Sequence, residues 1–236
     1  MSRLLVGHRG YPVKYPENTI ASFLAALFYG ADGLELDVWL SKDGELVVIH
    51  DPDTERVAGK KLVVKETALE ELRQLDLGLG QRIPTLSEVL EAVPPDIPIF
   101  VEIKDVDAAV PALQLVLEKK RIEKTMFISF RPEALEAIRR ESNEARLGLI
   151  IGSMEAAKQA PILAQKLRLI AIAPSILGIK YLGLEAYRGY LRKIKKMGLY
   201  IAVWTVDRPE DLEPVKDLVN AVITNDVETM KKAIKG

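Results

Sequence analysis

The sequence contains no cysteine, which excludes disulfide bonds, thiolate catalysis and cysteine-bound metals. Histidine is almost as scarce, with His8 and His50 as the two examples in 236 residues. The 33 basic residues nearly balance the 34 acidic ones, giving a formal net charge of −1. Because nucleic-acid binding usually requires a strongly basic surface, this balance argues against nucleic acid as a partner.

Long apolar runs are also missing: no stretch approaches the roughly 18 uninterrupted apolar residues of a membrane-spanning helix. The opening MSRLLVGHRG leaves no room for a charged, apolar and cleavable signal region before the first apolar strand pattern. These absences predict a cytoplasmic protein without a transmembrane segment. The sequence leaves the oligomeric state open.

Short apolar runs alternate with segments of helical periodicity along the whole chain, which is typical of βα units around a parallel sheet. Eight strands are predicted at residues 4–7, 33–38, 97–103, 126–129, 146–150, 169–173, 200–204 and 221–224. Eight helices are predicted at residues 19–29, 86–92, 108–119, 132–141, 154–167, 184–197, 210–218 and 228–234, with Asn18 as the first N-cap.

This count predicts an α/β fold, the TIM (β/α)8 barrel. The alternative is an open doubly wound sheet, which often carries a GxGxxG turn that this sequence lacks. Residues 41–85 break the alternation with a hairpin at Asp43-Gly44, a strand at 45–50 and a short helix at 69–75. We therefore predict one domain over residues 1–236 with a small insertion, at about 41–85, after strand two.

Charged residues interrupt the apolar strands at their predicted C-terminal ends. Glu35 and Asp37 share one face of strand two because side chains two apart in a strand point the same way. By the same rule Glu102 shares a face with Lys104. Since TIM-barrel active sites lie at the C-terminal ends of the strands, these groups, Arg9 and both histidines are expected at one mouth.

Three carboxylates in apolar strands need compensation by cations, by hydrogen bonds or by raised pKa values. Arg9 and Lys104 supply two positive charges, so the five groups sum to −1. One divalent cation would change the sum to +1, which suits an anionic ligand such as a phosphodiester.

With these residues in place, the chain resembles the glycerophosphodiester phosphodiesterase family. The resemblance rests on motifs that occur in order along the whole chain: HRG, PENT, ELDV, DGELVVIHDPD, IPTLSEVL, VEIK, SF and WTV. It implies a TIM barrel with an insertion after strand two, one divalent cation (Mg²⁺, Ca²⁺ or Mn²⁺, as oxygen ligands favour) and two catalytic histidines. The implied metal ligands are Glu35, Asp37 and Glu102; the implied catalytic residues are His8 and His50; the implied phosphate-binding residues are Arg9 and Lys104.

The activity implied by the resemblance is hydrolysis of a small glycerophosphodiester to glycerol 3-phosphate and an alcohol. We assign the base to His8 and the leaving-group acid to His50, although the two could exchange duties between steps. The ends of strands four and seven add Ser129 as a phosphate or water contact and Trp204 as an aromatic platform. Supporting roles are predicted for Glu17, bracing His8, and for Asp51, a structural acid near His50.

The chain departs from the family in NAVITNDVE, which begins at the start of strand eight with Asn220 where relatives commonly have glycine. Relatives often read Thr-Asp-x-Pro there, whereas Asn225 takes the aspartate position and Val227 replaces the proline.

Two other functions fit the same residues. A lysophospholipase D would use identical chemistry on lysophospholipids, with a cyclic phosphate as an alternative end product, and would need an apolar channel at the mouth. A non-catalytic barrel that binds phosphodiesters is the third candidate, and the complete histidine and carboxylate set argues against it.

Overall fold

The structure, a computed structural model, describes residues 3–235. Its nine strands are β1 (Leu4–His8), β2 (Gly33–Leu40), β3 (Leu46–Val48), β4 (Ile99–Ile103), β5 (Thr125–Ser129), β6 (Arg146–Ile151), β7 (Ala171–Pro174), β8 (Tyr200–Val203) and β9 (Ala221–Thr224). Eight of them, all except β3, run parallel, and β1 pairs with both β2 and β9 to close the ring. The predicted TIM barrel is confirmed.

Helices surround the barrel. They are α1 (Ile20–Tyr29), α2 (Glu55–Ala58), α3 (Leu69–Leu72), α4 (Leu86–Ala92), α5 (Ala109–Glu118), α6 (Pro132–Glu141), α7 (Met154–Leu167), α8 (Gly178–Leu182), α9 (Leu184–Lys196), α10 (Pro209–Leu212) and α11 (Val227–Lys235). Within the part of the chain that the structure describes, no helix combines the length and the apolar character needed to cross a bilayer.

Two helix predictions were wrong in detail. The N-cap of α1 is Thr19, whose side chain accepts a hydrogen bond from Ser22 N, and not Asn18. The helix predicted over 210–218 is divided into α10 and a 3₁₀ turn at Glu213–Val215, because Pro214 has no N–H to continue a helical hydrogen-bond ladder.

The insertion after β2 folds back along the barrel. β3 pairs antiparallel with β2, Val48 lying opposite Val38, and Ile49 N donates to Asp37 O over 3.1 Å. The strand predicted over 45–50 is shorter than expected, as is the helix over 69–75. This pairing carries the chain back past Asp37 and brings His50 close to the carboxylates of β2.

Side chains inside the barrel are apolar toward the N-terminal ends of the strands and charged toward the C-terminal ends. The apolar cluster includes Val6, Phe100 and Ala221. One inward position further along the same strands stand His8, after Val6, and Glu102, after Phe100. Charged groups therefore occupy the C-terminal layer of an otherwise apolar interior.

Arg121 is a buried structural residue that the sequence did not reveal. Its guanidinium donates to the carbonyls of Leu90, Val93 and Pro94, where α4 ends, at 2.9–3.1 Å. Burial lowers its pKa. We expect Arg121→Met to leave these carbonyls without their donors and to cost roughly 3 kcal/mol, lowering the melting temperature by about 6–12 °C.

Thermal unfolding by circular dichroism measures this loss. Arg140→Met, which replaces an exposed arginine on α6, is the control and should melt within about 1–2 °C of the wild type. Equal melting temperatures for both variants would contradict the structural role of Arg121.

Candidate active site

Strand register brings the acidic residues together at the barrel mouth. His8 lies opposite Glu35 between β1 and β2, and Asp37 lies opposite Glu102 between β2 and β4. One oxygen from each of the three carboxylates lies within 4.8 Å of the others, and all three residues are buried. The apolar side chains of Leu34 and its alternate neighbours pack outside the barrel, as the two-residue period predicts.

Two cationic side chains flank Asp37 at the centre of this group. Arg9 Nε lies 3.3 Å from Asp37 Oδ2, and Lys104 Nζ lies 3.3 Å from Oδ1. Lys104 also contacts Glu102 Oε1 at 2.8 Å. Asn18 donates its side-chain amide to Asp37 Oδ2 at 2.8 Å, which gives this residue a role at the site in place of the predicted cap.

The pKa values of the three carboxyl groups are shifted in different directions by their surroundings. Burial, reinforced by the negative charges of Asp37 and Glu102, raises the pKa of Glu35 well above its usual value. Burial and Asp37 raise the pKa of Glu102 to about 7. Burial also opposes ionisation of Asp37, but Lys104 and Arg9 more than offset it and hold that pKa below its usual value. Arg9 and Lys104 therefore compensate Asp37 but not all three carboxylates.

These carboxylates fit a divalent cation. Their donor atoms are hard oxygens from adjacent strands. Oδ1 of Asp37 is buried, and among residues 3–235 it accepts no hydrogen bond, although the Lys104 ammonium lies nearby. A buried acceptor without a donor is costly, and a bound cation would satisfy it.

Arg9 is held by its backbone as well as its side chain. It adopts a left-handed conformation, φ 54°, which costs an L-residue about 1–2 kcal/mol. In this conformation Arg9 N donates to Glu35 Oε2 at 3.0 Å, and Arg9 O accepts from Asn18 N at 2.9 Å. The next residue, Gly10, has φ 88°, and a Cβ there would lie 2.6 Å from the Ser22 backbone carbon. The tight turn thus requires glycine and fixes Arg9 over the carboxylates.

His8 points one ring nitrogen at the cavity and the other at the end of β9. Its Nε2 lies 3.8 Å from Glu35 Oε2, and its Nδ1 lies 2.8 Å from Asn225 Oδ1. Burial, with the nearby charge of Arg9, lowers the pKa of His8. A neutral imidazole with an accessible Nε2 is suited to accept a proton.

The Nδ1 atom of His50 has a carboxylate as its partner, whereas that of His8 has an amide. His50 Nδ1 lies 2.6 Å from Asp51 Oδ1, as expected for a structural acid near His50, and its backbone carbonyl accepts from Trp39 Nε1 at 3.0 Å. Burial lowers its pKa.

Arg56, from α2 in the insertion, bonds both Asp51, the partner of His50, and Glu17, a partner of Arg9. Its Nε donates to Asp51 Oδ2 at 2.5 Å and its Nη2 donates to Glu17 Oε1 at 2.7 Å. Glu17 in turn accepts from Arg9 Nη1 at 3.0 Å. The predicted contact of Glu17 with His8 is replaced by this arginine pair, because the carboxylate lies between two guanidinium groups.

A cavity of about 280 Å³ opens above these groups. Its polar lining consists of His8, Arg9, Glu35, His50, Glu102 and Thr205, and its apolar lining of Ile128, Phe130, Ile150, Ala173, Trp204 and Ile223. Lys104 and Asp37 are not part of this lining, but Lys104 contacts the lining carboxylate Glu102 and Asp37 contacts the lining residue Arg9.

Trp204 and Ser129, the two other residues predicted to contact the substrate, differ in their position relative to the cavity. Trp204 lines the cavity with its ring edge-on to Phe130, centroids 5.5 Å apart, and its indole N–H donates to Ala173 O at 2.7 Å. Ser129 is fully buried and is absent from the lining; its hydroxyl donates to Ile103 O at 2.7 Å and accepts from Arg131 N at 3.1 Å. The first bond joins the ends of β5 and β4 and the second closes the turn after β5, which favours a structural role over a phosphate contact.

Residues 8–229 match a family model described as the glycerophosphoryl diester phosphodiesterase family. The glycerophosphodiester phosphodiesterase of Caldanaerobacter subterraneus subsp. tengcongensis is 34% identical, in an alignment covering 100% of this chain and 99% of that protein.

Solved structures give the same result. The glycerophosphodiester phosphodiesterase of Thermotoga maritima superimposes with a TM-score of 0.86 at 33% identity, covering 98% of each chain. A phosphodiesterase of Oleispira antarctica, solved with its product sn-glycerol-3-phosphate, superimposes with a TM-score of 0.87. It is 23% identical and covers 100% of this chain and 98% of its own, so it supports the fold.

Proposed function

Because the chain belongs to the glycerophosphoryl diester phosphodiesterase family, we propose that it hydrolyses glycerophosphodiesters to glycerol 3-phosphate and an alcohol with one bound divalent cation. The observation that supports this most is the meeting of three buried carboxylates, two cationic side chains and two histidines at one cavity. The product proposed here is the one bound by the Oleispira antarctica neighbour.

Glu35, Asp37 and Glu102 would hold the cation, Mg²⁺, Ca²⁺ or Mn²⁺. When bound, it would supply positive charge that polarises the phosphoryl group and stabilises charge on the phosphorus oxygens. Arg9 and Lys104 add two further positive charges on the same side of the cavity. The five side chains orient the diester and direct its leaving group toward the histidines.

His8 acts as the base of the first step. Its Nε2 takes the proton of the glycerol hydroxyl next to the phosphoester, and that oxygen forms a bond to phosphorus. The bond from phosphorus to the alcohol oxygen breaks, and His50 gives its proton to the departing alkoxide. The first products are the free alcohol and a cyclic glycerophosphate.

Water then opens the cyclic phosphate. The histidine that has given up its proton accepts one from the attacking water, and the other returns a proton to the glycerol oxygen that leaves phosphorus. Glycerol 3-phosphate is released, and both histidines recover their starting states.

A second substrate class is supported by the apolar side of the mouth. Phe130 and Trp204 line the cavity, and large hydrophobic residues stand exposed after neighbouring strands, including Met154 at 50% and Tyr181 at 75% exposure. An acyl chain of a lysophospholipid could lie across these groups while the phosphate occupies the charged floor. Lysophospholipase D activity is therefore the second candidate.

The metal requirement and the substrate can be tested together. Purified protein is stripped with EDTA, Mg²⁺, Ca²⁺ or Mn²⁺ is restored separately, and glycerophosphocholine and lysophosphatidylcholine are followed in parallel by ³¹P NMR. We expect the stripped protein to be inactive. We also expect a restored metal to convert glycerophosphocholine to glycerol 3-phosphate.

Full activity after EDTA treatment would overturn the metal requirement. Lysophosphatidic acid or its cyclic form from lysophosphatidylcholine would establish the lipid activity. No turnover of either diester with any metal would favour a phosphodiester-binding barrel.

A further inference from the structure

We propose that Asn225 and Asp207 act as a positioning pair that fixes the imidazole of His8 as the tautomer protonated at Nδ1. The proposal rests on the proposed function of His8 as a base, since that role requires an unprotonated Nε2. Asn225 follows β9 and Asp207 lies in the β8–α10 loop, so neither is near His8 in sequence. Both stand outside the cavity lining, which makes them positioning and not catalytic residues.

The orientation of the Asn225 amide is set by Asp207. Asn225 Nδ2 donates to Asp207 Oδ2 at 2.9 Å, and the other carboxylate oxygen, Oδ1, accepts from Asn225 N at 2.7 Å and from Thr224 Oγ1 at 3.0 Å. Turning the amide over would place its oxygen against a carboxylate oxygen. Asn225 therefore presents Oδ1, an acceptor, to His8.

This acceptor selects the tautomer. Asn225 Oδ1 lies 2.8 Å from His8 Nδ1, so Nδ1 must carry a proton or two lone pairs would face each other. In a neutral imidazole the second nitrogen is then unprotonated, and Nε2 is the nitrogen on the cavity side. The pair thus holds His8 in the form that can accept a proton from a substrate hydroxyl.

The pair also explains how this chain works with asparagine where relatives often have aspartate. With Asp207 in contact with position 225, an aspartate there would place two carboxylates at the 2.9 Å spacing of the present hydrogen bond. Exchanging the two residues removes that conflict at an unchanged net charge. The asparagine would then lie in the β8–α10 loop, where its Oδ1 could keep both acceptor roles and its Nδ2 could donate to the aspartate after β9. That aspartate could still accept from His8.

The tautomer can be observed directly because the chain has two histidines. We would record two-bond ¹H–¹⁵N spectra of the full chain with Mg²⁺ at mildly alkaline pH, using His50→Gln to assign the remaining ring. We expect His8 to be protonated at Nδ1 in the wild type. In Asn225→Leu, which removes the acceptor at similar volume, we expect a mixture of tautomers.

Activity on glycerophosphocholine provides the second readout. Loss of a positioning partner typically costs 10–100-fold, so kcat of Asn225→Leu should fall by about that factor while KM changes by less than about threefold. Asn225→Asp should fall similarly through repulsion. The double variant Asp207→Asn/Asn225→Asp should regain about tenfold over Asn225→Asp and restore the Nδ1 proton.

Either of two results would overturn the positioning role: an unchanged His8 tautomer in Asn225→Leu, or a double variant no better than Asn225→Asp in both readouts. Circular dichroism checks folding, and if Asn225→Leu does not fold, the charge-conserving double variant decides. The spectra do not require turnover. A wild type inactive on every diester, whose His8 tautomer still depends on Asn225, would overturn the proposed function and support the positioning pair.

Discussion

Glu35→Gln is expected to remove most of the metal-dependent activity and, at the same time, to stabilise the metal-free protein. The amide keeps the shape of the side chain but is a poorer cation ligand, and it replaces a carboxyl group whose ionisation is opposed by burial and by the charges of Asp37 and Glu102. If the bound cation lowers the reaction barrier by about 4 kcal/mol, its loss lowers kcat/KM by about 10³-fold. Relief of repulsion worth about 1 kcal/mol would raise the metal-free melting temperature by about 2–4 °C.

Melting curves with and without Mg²⁺ measure both effects. At a Mg²⁺ concentration about 100 times its Kd, the wild type should gain about 2.7 kcal/mol of stability, and Glu35→Gln should gain almost none. The matched control is Glu45→Gln, the same substitution at an exposed position in the hairpin, which should retain the metal response and the activity. A Glu35→Gln variant that still melts higher with Mg²⁺ would remove Glu35 from the ligand set.

His50→Ala is expected to lose about 10²–10⁴-fold in kcat on glycerophosphocholine and much less on a glycerophosphodiester whose leaving group is p-nitrophenol. Choline is a poor leaving group without a proton, whereas p-nitrophenolate departs as a stable anion. The Asp51 carboxylate at Nδ1 suits His50 for this work because it stabilises the protonated ring before transfer.

His8→Ala is the matched comparison, and it should lose activity to a similar extent on both substrates because activating the leaving group does not replace a base. Steady-state kinetics of the two variants on the two substrates separate the roles. The assignment of acid and base would be reversed by a His8→Ala variant whose activity returned with the p-nitrophenyl diester.

Periodicity was sufficient to predict the barrel and the inward placement of its charges. The two-residue period put Glu35 and Asp37 on one face, and the TIM-barrel rule put their strand end beside those of β1 and β4. These predictions depend on local patterns and on the regular geometry of parallel strands. The cavity at the mouth contains both histidines, as expected.

The partners of the site residues could not be predicted because they join distant segments. His8 and Asn225 are 217 positions apart, and Arg56 reaches Glu17 across 39 positions from the irregular insertion. The NAVITNDVE departure drew attention to Asn225, but no local pattern indicated that its amide faces His8. Ser129 ends its strand as predicted, yet the direction in which a small hydroxyl bonds depends on neighbouring backbone that the sequence does not specify.

The pairing of β1 with β9 has a consequence for synthesis of the protein. His8 is synthesised before its partner Asn225, which follows 217 residues later, a delay of about 10–40 s at roughly 5–20 residues per second. Until β9 is made, β1 has no neighbour on one side and the ring cannot close. A nascent chain therefore carries its carboxylates and histidines without a working arrangement of them, and newly made molecules become competent for phosphodiester chemistry only when the last strand is inserted.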